Sequence, residues 1–585
     1  MTGVSPVTSG PIPLATSLRT YLAGVNRAQA LFAGVLLILG FLTLVPLITV
    51  IYGALTTTRP GRPFEGLTVE VLTRAYSSES FWAAGLNTLV YAIGVTVVAV
   101  GAGAFLAWVV ERTNAPFRNA IFVLSVVRLI VPGLLVTMAW ILILGPNAGI
   151  LNVWLSSLLG LDEPPINIFS MPGMIFVEGL QTVPIPFLLM VAAFRSMDPA
   201  LEEASRASGA GIVATARRVS LPLVRPAIYA AALIAFVSAF EGFETPALIG
   251  LRATEPVRTF STEIWTSVSA VPRDFNLASA YSIIFLSTAM FLMYLYLRAT
   301  RKSEQYATVT GKGFRPNVVD LGPWRWPTTI VATALVALMF VVPVAALVWR
   351  SVQPYNNAPS PESLDLLTTQ NWELAMAYDL MWSGLVNSLI LGLVVAGIVM
   401  VLCAIAAWLV IRSRVRGRGL VDAALFIPIS MPGLVIGLAF FWFALTAVPL
   451  VYGTLVIIGI AHATKLLPYG MRFASTSMIQ VHADLEGAAY VSGATTIQAF
   501  RRIIFPLLLP GLMAGFIFVF IGSVRELSSS IILAGFDTRT YPVILFDRWA
   551  DEPGMATAMA LVGVMILGTV VLAARIVGSR LGVRA

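Results

Sequence analysis

Charged residues are scarce in this sequence, and so are the residue types that usually build catalytic and metal sites. Asp, Glu, Lys and Arg supply only 11% of the 585 residues, against about 25% in ordinary globular domains. The chain has two histidines and a single cysteine, Cys403, so no disulfide bond can form within it. No nucleophile–base pair and no metal-ligand spacing is present, which argues against an enzyme.

Several other signals are missing. The sequence lacks the G-x-x-x-x-G-K-[ST] phosphate loop, so it cannot be an ATPase by that mechanism. Its formal charge is +8, but its basic residues form no patch interleaved with aromatic residues, so no nucleic-acid partner is expected. A cleavable signal peptide is not expected either, because the first apolar run is long and follows roughly 29 mostly polar residues.

What the chain has in abundance is apolar sequence. Hydrophobic residues make up 58% of it, more than one soluble core of this length could bury. They are grouped in runs of roughly 20 residues, which is the length of a transmembrane helix. Helices are expected because each one satisfies its own backbone hydrogen bonds in lipid. The prediction is an all-α polytopic membrane protein with about twelve spans, near 30–54, 82–110, 120–144, 171–194, 227–250, 279–298, 328–350, 384–411, 420–446, 451–472, 511–534 and 556–577.

Charge predicts the orientation of these spans. Arginine is concentrated in segments 111–118, 298–315 and 411–419 and in the C-terminal tail, whereas the loops on the opposite side are balanced or acidic. Because basic loops stay in the cytoplasm, both termini and the linker 299–327 are placed there. The expected location is the bacterial inner (plasma) membrane, crossed many times, with the lipid bilayer as a direct partner.

The two halves of the chain are copies of one another. At an offset of 300 residues Asn87 aligns with Asn387, and the same offset aligns two further pairs and a Pro-Gly-Leu tripeptide: Trp108 with Trp408, Arg112 with Arg412, and 132–134 with 432–434. Six spans in each copy imply parallel repeats related by an axis along the membrane normal. We therefore predict a first lobe at 1–298, a cytoplasmic linker at 299–327 and a second lobe at 328–585.

One cytoplasmic segment is repeated with particular fidelity. Residues 201–226 and 485–510 lie between the fourth and fifth spans of their lobes, and 11 of 26 aligned positions are identical at an offset of 284. Each segment begins with a short helix carrying a glutamate near its N-terminus, which suits the helix dipole. A glycine then permits a sharp turn, and a second helix is expected to end before Pro222 or Pro506. The prediction is a helix–turn–helix projection into the cytoplasm; the alternative is a re-entrant loop that packs on neighbouring helices.

The repeated segment resembles the signature of binding-protein-dependent ABC importer permeases. That signature has a Glu-Ala-Ala tripeptide shortly before a glycine, then nine residues, a branched aliphatic residue and, one residue further, Leu-Pro. The matching positions are Glu202, Ala204, Gly209 and Pro222 in the first lobe and Glu486, Ala488, Gly493 and Pro506 in the second. Departures are small, with Glu203 and Gly487 in place of an alanine.

The resemblance implies a type I ABC importer permease fold in which both segments are coupling helices that dock on ATPase subunits. Two such segments imply two copies of the ATPase, which would hold ATP and Mg²⁺, while this chain itself binds no cofactor. A periplasmic substrate-binding protein is implied on the other face. A secondary transporter with two six-helix halves would explain the composition and the repeat equally well, but it would not explain the paired cytoplasmic segments.

Two further strings, FEGFETPALIG at 240–250 and VRELSSSIILAG at 524–535, resemble the fused ferric-iron transport permeases. That resemblance makes ferric iron the first expectation for the substrate. Permeases for thiamine and 2-aminoethylphosphonate share this organisation, and polyamines or sulfate stay open as well.

Ionisable residues inside the apolar spans are candidates for the translocation pathway, because burying them in lipid is costly. They are Glu178, Glu241, Glu244, His462 and Glu526. Carboxylates suit a hard cation such as ferric iron; alternatively they pair with Arg525 or Arg128, or cap helix ends. A lone His462 is more typical of a satisfied buried side chain than of a metal site. The Pro-Gly pairs Pro132-Gly133 and Pro432-Gly433 are expected to kink the third helices and are candidate gate hinges.

Overall fold

The structure is a computed structural model that describes residues 14–301, 318–413 and 415–580. Within these ranges the chain is helical, and the only β-type pairings are the isolated bridges Thr56–Leu67 and Thr113–Val319. The predicted all-α class is confirmed. Most of the predicted linker 299–327 lies outside the described residues.

The helices fall into two successive sets. The first set is α1 (Leu14–Ala54), α2 (Glu70–Tyr76), α3 (Glu79–Arg112), α4 (Arg118–Val127), α5 (Gly133–Leu144), α6 (Ile150–Leu159), α7 (Met171–Thr182), α8 (Pro184–Ser196), α9 (Pro199–Ala207), α10 (Ile212–Thr215), α11 (Leu221–Phe240), α12 (Glu244–Leu248), α13 (Phe260–Ser269) and α14 (Phe275–Arg301). The second set is α15 (Arg325–Val336), α16 (Val342–Ser351), α17 (Pro361–Leu364), α18 (Gln370–Met376), α19 (Asp379–Ile411), α20 (Arg418–Phe426), α21 (Gly433–Ala447), α22 (Leu455–Gln480), α23 (Ala483–Val491), α24 (Thr496–Ala499), α25 (Phe505–Val524), α26 (Ser530–Leu533), α27 (Tyr541–Asp551) and α28 (Pro553–Arg580).

The number of apolar spans is lower than the twelve predicted. Among the described residues, eight helices are long and apolar enough to cross a membrane, and three bent pairs raise the number to at most eleven. The remaining predicted span, near 451–472, corresponds to the 26-residue helix α22. Its mean hydropathy is lowered by His462, Lys465 and Arg472, which explains why composition alone does not mark it as a span.

The internal repeat is visible in matching hydrogen bonds. The Asn87 amide donates to the carbonyl of Arg258 at 3.0 Å, and its counterpart Asn387 donates to the carbonyls of Asp537 and Arg539, each at 3.1 Å. The amide of each asparagine thus ties the long second helix of its lobe to the segment that follows the fifth helix. The shared asparagine found in the sequence has the same structural role twice.

The first helices of each half pack against both lobes: α1 also contacts α14 of its own half, and α16 also contacts α28 of its own half. Helix α1 belongs to the first lobe by sequence, yet it packs against α20 and α21 of the second lobe. The Thr49 hydroxyl donates to the carbonyl of Ala439 at 3.0 Å. In return α15 packs against α3 and α4, and α16 packs against α5. The first helix of each half therefore bridges its own lobe and the other one, and this reciprocal packing joins the lobes.

The close approach of α1 to the second lobe depends on Gly53. A Cβ atom at this position would lie 2.6 Å from the Ser279 hydroxyl oxygen and 2.7 Å from the Trp442 ring. We expect Gly53→Ala to lower the thermal unfolding midpoint in detergent, because overpacking costs about 1–3 kcal/mol. The matched control is Gly40→Ala on the same helix, where the added Cβ meets open space. An unchanged midpoint for the Gly53 variant would contradict this packing.

Candidate functional site

Each repeated cytoplasmic segment forms a sharp turn after its first helix. Helix α9 is followed by Gly209 with φ of +86°, and α23 is followed by Gly493 with φ of +80°. The amide of Ala210 donates back to the carbonyl of Ser205 at 3.2 Å, and the amide of Ala494 donates to that of Ala489 at 3.0 Å. This is the hydrogen bond of a helix ended by a left-handed residue, a conformation that glycine adopts without strain.

The second helix of each segment does not end before the proline, and that prediction is wrong. A π-helical stretch, Ala216–Ser220 or Phe500–Ile504, continues directly into α11 or α25. The amide of Leu221 reaches back five residues to the carbonyl of Ala216, and Phe505 does the same to Phe500. The wider turn accommodates proline in the following helix, because it shifts the backbone hydrogen bonds that proline disrupts. The paired arginines of each segment therefore lie at the start of a membrane helix.

The motif glutamate of the first lobe is buried and anchors its turn. A Glu202 carboxylate oxygen lies 3.4 Å from the Arg112 guanidinium, and the other accepts a 2.5 Å hydrogen bond from the Ser220 hydroxyl. Arg112 is also buried, and it donates to the carbonyls of Phe194 at 2.7 Å and Met197 at 3.2 Å. Arg112, at the end of α3, thereby holds together the end of α8 and helix α9, which leads into the turn at Gly209.

The second lobe repeats the arginine and varies the glutamate. Arg412 donates to the carbonyls of Met478, at 3.2 Å, and Val481. These two residues align with Phe194 and Met197 at the offset of 284. Glu486 instead accepts hydrogen bonds from the Trp408 indole at 3.2 Å and the Tyr490 hydroxyl at 2.6 Å. Sequence reasoning assigned no role to Arg112 and Arg412, although their shared register was the signal that marked them.

Both turns expose apolar side chains. Leu201 and Leu485 are about half exposed, Tyr490 is 42% exposed and Val491 is 92% exposed. The arginines that follow, Arg217, Arg218, Arg501 and Arg502, are exposed as well. Exposed apolar residues beside basic ones are typical of a protein–protein contact surface.

The predicted pathway glutamates do not lie inside the fifth helices, where they were expected. Helix α11 ends at Phe240 and α25 ends at Val524. Glu241, Glu244 and Glu526 therefore lie in or just after the breaks that follow these helices. Irregular backbone within a membrane protein is tolerated where it is buried in protein, because other segments satisfy its polar groups. Here the carbonyl of Gly242 accepts a hydrogen bond from the Ser261 hydroxyl at 2.6 Å.

The two lobes supply unlike polar groups at aligned positions. Glu178 accepts a 2.7 Å hydrogen bond from the Thr245 hydroxyl, whereas the aligned His462 lies buried between Ser523 and Ser530, with 2.8 Å contacts to both. Both ring nitrogens of His462 are thereby occupied, as expected for a satisfied buried histidine. No group of His, Cys, Asp and Glu that could hold a metal ion occurs among the described residues.

A second aligned pair carries a charge in one lobe only. Gln181 donates to the Thr137 hydroxyl at 2.9 Å. The aligned Lys465 forms a 2.6 Å ion pair with Glu526. Glu526 also accepts from the Ser529 amide at 3.2 Å, so the predicted alternative of pairing with Arg525 does not describe its closest contact.

The Pro-Gly pairs break their helices more strongly than a kink would. The chain turns by 105° between Ile130 and Gly133 and by 109° between Ser430 and Gly433. A Cβ atom on Gly133 would lie 2.9 Å from a Glu244 carboxylate oxygen, and one on Gly433 would lie 2.8 Å from the Lys465 amine. Glycine is required here because the polar side chains approach the backbone closely. A hinge at these breaks stays a prediction.

All of these polar groups meet where the lobes face each other. Glu241 interacts electrostatically with Lys465 and Glu526 of the second lobe, and Glu244 interacts with Glu178, Lys465, Glu526 and Arg525. Arg525 also donates across the lobes to the carbonyl of Leu129 at 2.7 Å. The five predicted pathway residues, Glu178, Glu241, Glu244, His462 and Glu526, thus belong to one interlobe polar cluster. Arg128 and Arg525, which the sequence suggested only as possible partners, are part of it.

Comparison with known proteins agrees with this architecture. Residues 400–581 match the family described as binding-protein-dependent transport system inner membrane component. A ferric transport system permease protein of Actinobacillus pleuropneumoniae is 25% identical over 475 residues, covering 80% of this chain and 67% of the relative. A putative 2-aminoethylphosphonate transport system permease protein of Salmonella typhimurium is 26% identical over 243 residues, covering 41% of this chain and 89% of the relative.

Among solved structures, a bacterial ABC transporter that imports the acidic polysaccharide alginate is similar at 22% sequence identity and a TM-score of 0.40. The match covers 49% of this chain and 98% of that one.

Proposed function

We propose that this chain is the permease subunit of an ABC importer and that it carries ferric iron across the bacterial inner membrane. The observation that best supports the importer mechanism is the duplicated turn at Gly209 and Gly493. Each turn is held by contacts within its own lobe and exposes apolar side chains. The permease would have two such turns because two ATPase subunits drive transport, and each turn would contact one of them.

We infer that each turn docks on one copy of an ABC ATPase. The exposed Leu201 of the first turn and Leu485, Tyr490 and Val491 of the second supply apolar contacts, and the neighbouring arginines supply charge. ATP and Mg²⁺ would be bound by these ATPase subunits and not by the permease. Both termini and the linker 299–327 would then lie on the ATPase side, in the cytoplasm, in agreement with the distribution of arginine.

The Arg112–Glu202 and Arg412 contacts support a mechanical route from the ATPase to the membrane. A displacement of the first turn reaches α3 and α8 through Arg112, and it reaches α11 through the continuous π-helical stretch. Closure of the ATPase dimer would thereby move the fifth helices, which end at the interlobe polar cluster. Alternating access would open this cluster to one side of the membrane at a time, after a periplasmic binding protein delivers the substrate.

Ferric iron is the substrate that the available observations favour. Glu241, Glu244 and Glu526 bring carboxylates of both lobes to the interface, and oxygen ligands suit a hard cation. The ferric transport relative aligns with both lobes, since its 475 matched residues exceed one lobe. Import of 2-aminoethylphosphonate by the same machinery is the second candidate, favoured by the relative that matches over one lobe. Thiamine, polyamines and sulfate are further alternatives.

Reconstitution tests this proposal directly. The permease, its ATPase and its binding protein would be assembled in proteoliposomes and offered ferric iron, thiamine, 2-aminoethylphosphonate or putrescine in turn. We expect ferric-loaded binding protein to stimulate ATP hydrolysis several-fold and to support iron uptake. Stimulation by thiamine or the phosphonate without stimulation by iron would overturn the proposed substrate. ATP-independent uptake driven by a proton or sodium gradient would overturn the importer mechanism and favour a secondary transporter.

A further inference from the structure

Lys465 stands out within the interlobe polar cluster. It is one of only three lysines among the 37 basic residues of the chain, and the only lysine in the described ranges. Its amine lies 2.6 Å from a Glu526 carboxylate oxygen, in a pair whose side chains are 27% and 9% exposed. The pair is therefore largely enclosed but open on one side.

The Lys465 amine contacts one carboxylate of its own lobe and faces carboxylates of the other lobe, where Arg525 is the stronger partner of Glu244. Glu526 belongs to the second lobe, whereas Glu241 and Glu244 come from the first and also interact with Lys465 electrostatically. One carboxylate oxygen of Glu241 is shielded from solvent and has no hydrogen-bond partner. The ammonium group thus occupies the place where a free cation would be attracted.

The repeat shows that the fold does not need this ion pair. At the aligned positions the first lobe has Gln181 in place of Lys465 and Gly242 in place of Glu526. A carboxylate, that of Glu244, also approaches the break at Gly133 in that lobe, but the position of the lysine is taken by Gln181, which donates to the neutral Thr137 hydroxyl. Buried ion pairs are also weak sources of stability, because desolvation offsets the attraction. Because the Lys465–Glu526 ion pair occurs in one lobe only, a role in substrate transport explains it better than a role in folding.

We propose that Lys465 is a tethered counter-cation that occupies the pathway when no substrate is present. Its ammonium neutralises Glu526 and the facing Glu241 of the first lobe, and it has to leave Glu526 when a substrate cation enters. Lysine suits this role because it places a compact charge on a flexible four-carbon stem. The inference rests on the proposed function in one respect, that the substrate is a cation.

The role predicts that removing the amine opens the carboxylates to a free cation. The variant is Lys465→Gln, which installs the residue that the first lobe already carries at the aligned position. Purified full-length permease in detergent would be titrated with Tb³⁺, and luminescence would be excited through tyrosine. Tyr469 interacts with Glu241, Lys465 and Glu526, so it is placed to sensitise an ion bound there. We expect Lys465→Gln to bind Tb³⁺ at least about tenfold more tightly than the unmodified protein, because a like charge has been removed from the carboxylates.

Three variants make the result specific. Lys465→Arg keeps the charge and is expected to bind Tb³⁺ as weakly as the unmodified protein. The double variant Lys465→Gln/Glu526→Gln removes both charges and should lose the gain. Arg539→Gln removes a cation that pairs with Asp547 outside the cluster and should gain nothing. If Lys465→Gln does not yield a monodisperse protein, Lys465→Met serves the same comparison.

Two results would overturn the counter-cation role: equal Tb³⁺ affinity in Lys465→Gln and the unmodified protein, or an equal gain in the single and double variants. Either result leaves the proposed function standing if iron still stimulates ATP hydrolysis by the unmodified transporter. Conversely, tight Tb³⁺ binding by Lys465→Gln without iron stimulation of the unmodified transporter would support the role of Lys465 and reject ferric iron as the substrate.

Discussion

Replacing Gly209 and Gly493 together by valine is expected to uncouple the permease from its ATPase almost completely. Both glycines have left-handed backbone conformations, which cost a β-branched residue roughly 1–2 kcal/mol each. A Cβ atom at either position meets no other atom within 4 Å, so the new side chains would clash with nothing in the permease and the strain would fall on the two turns themselves. We expect co-purification of the ATPase to be lost and substrate-stimulated ATP hydrolysis to fall at least about tenfold, equivalent to about 1.4 kcal/mol of docking energy.

The control for this experiment lies on the same turn. Gly487 is within helix α23, has no left-handed conformation, and also has open space around its Cβ position. Gly487→Ala is therefore expected to leave ATPase binding and hydrolysis unchanged, since glycine and alanine differ little in size and the helix favours alanine. Normal coupling in the Gly209→Val/Gly493→Val protein, with both turns correctly folded, would show that these turns are not the docking sites.

Replacing Arg112 by methionine is expected to be the most damaging single change to the folded permease. Arg112 and Glu202 are both buried, and removing one partner of a buried pair typically costs about 3–5 kcal/mol because the other charge stays buried and unpaired. Two further bonds, to the carbonyls of Phe194 and Met197, are lost with it. We expect the yield of monodisperse protein to drop sharply and the thermal unfolding midpoint of any remaining protein to fall.

Two comparisons separate the buried charge from a general loss of arginine. Arg74 pairs with Asp274 at 2.5 Å, but the two side chains are 58% and 34% exposed, so Arg74→Met should cost less than about 1 kcal/mol. Adding Glu202→Gln to the Arg112→Met protein should recover part of the stability, because the unpaired carboxylate is then removed. If Arg112→Met and Arg74→Met proved equally mild, Arg112 would not be the anchor of the turn.

Much of the architecture follows from periodicity and repetition in the sequence. The second, long span of each lobe and the glycine turns at Gly209 and Gly493 lie where the apolar runs and the motif placed them. The fifth spans were predicted about ten residues too far towards the C-terminus, since α11 and α25 end at the polar breaks. A run of hydrophobic residues shows that a segment belongs in lipid, but it does not show where the helix is interrupted by contacts with another segment.

The sequence by itself determined the class of the protein, because apolar runs of this length are stable only in a membrane, and the repeated motif showed that the chain is built from two similar halves. Only the tertiary structure decided three things: that the first helix of each half bridges both lobes, that Arg112 holds the turn at Gly209, and that Lys465 pairs with Glu526. These contacts join residues that are between about 60 and 400 positions apart, and no local pattern encodes such a distance. Because charged residues are scarce in this chain and nearly every buried charge needs a partner, the contacts of each buried charge are easy to identify in the structure.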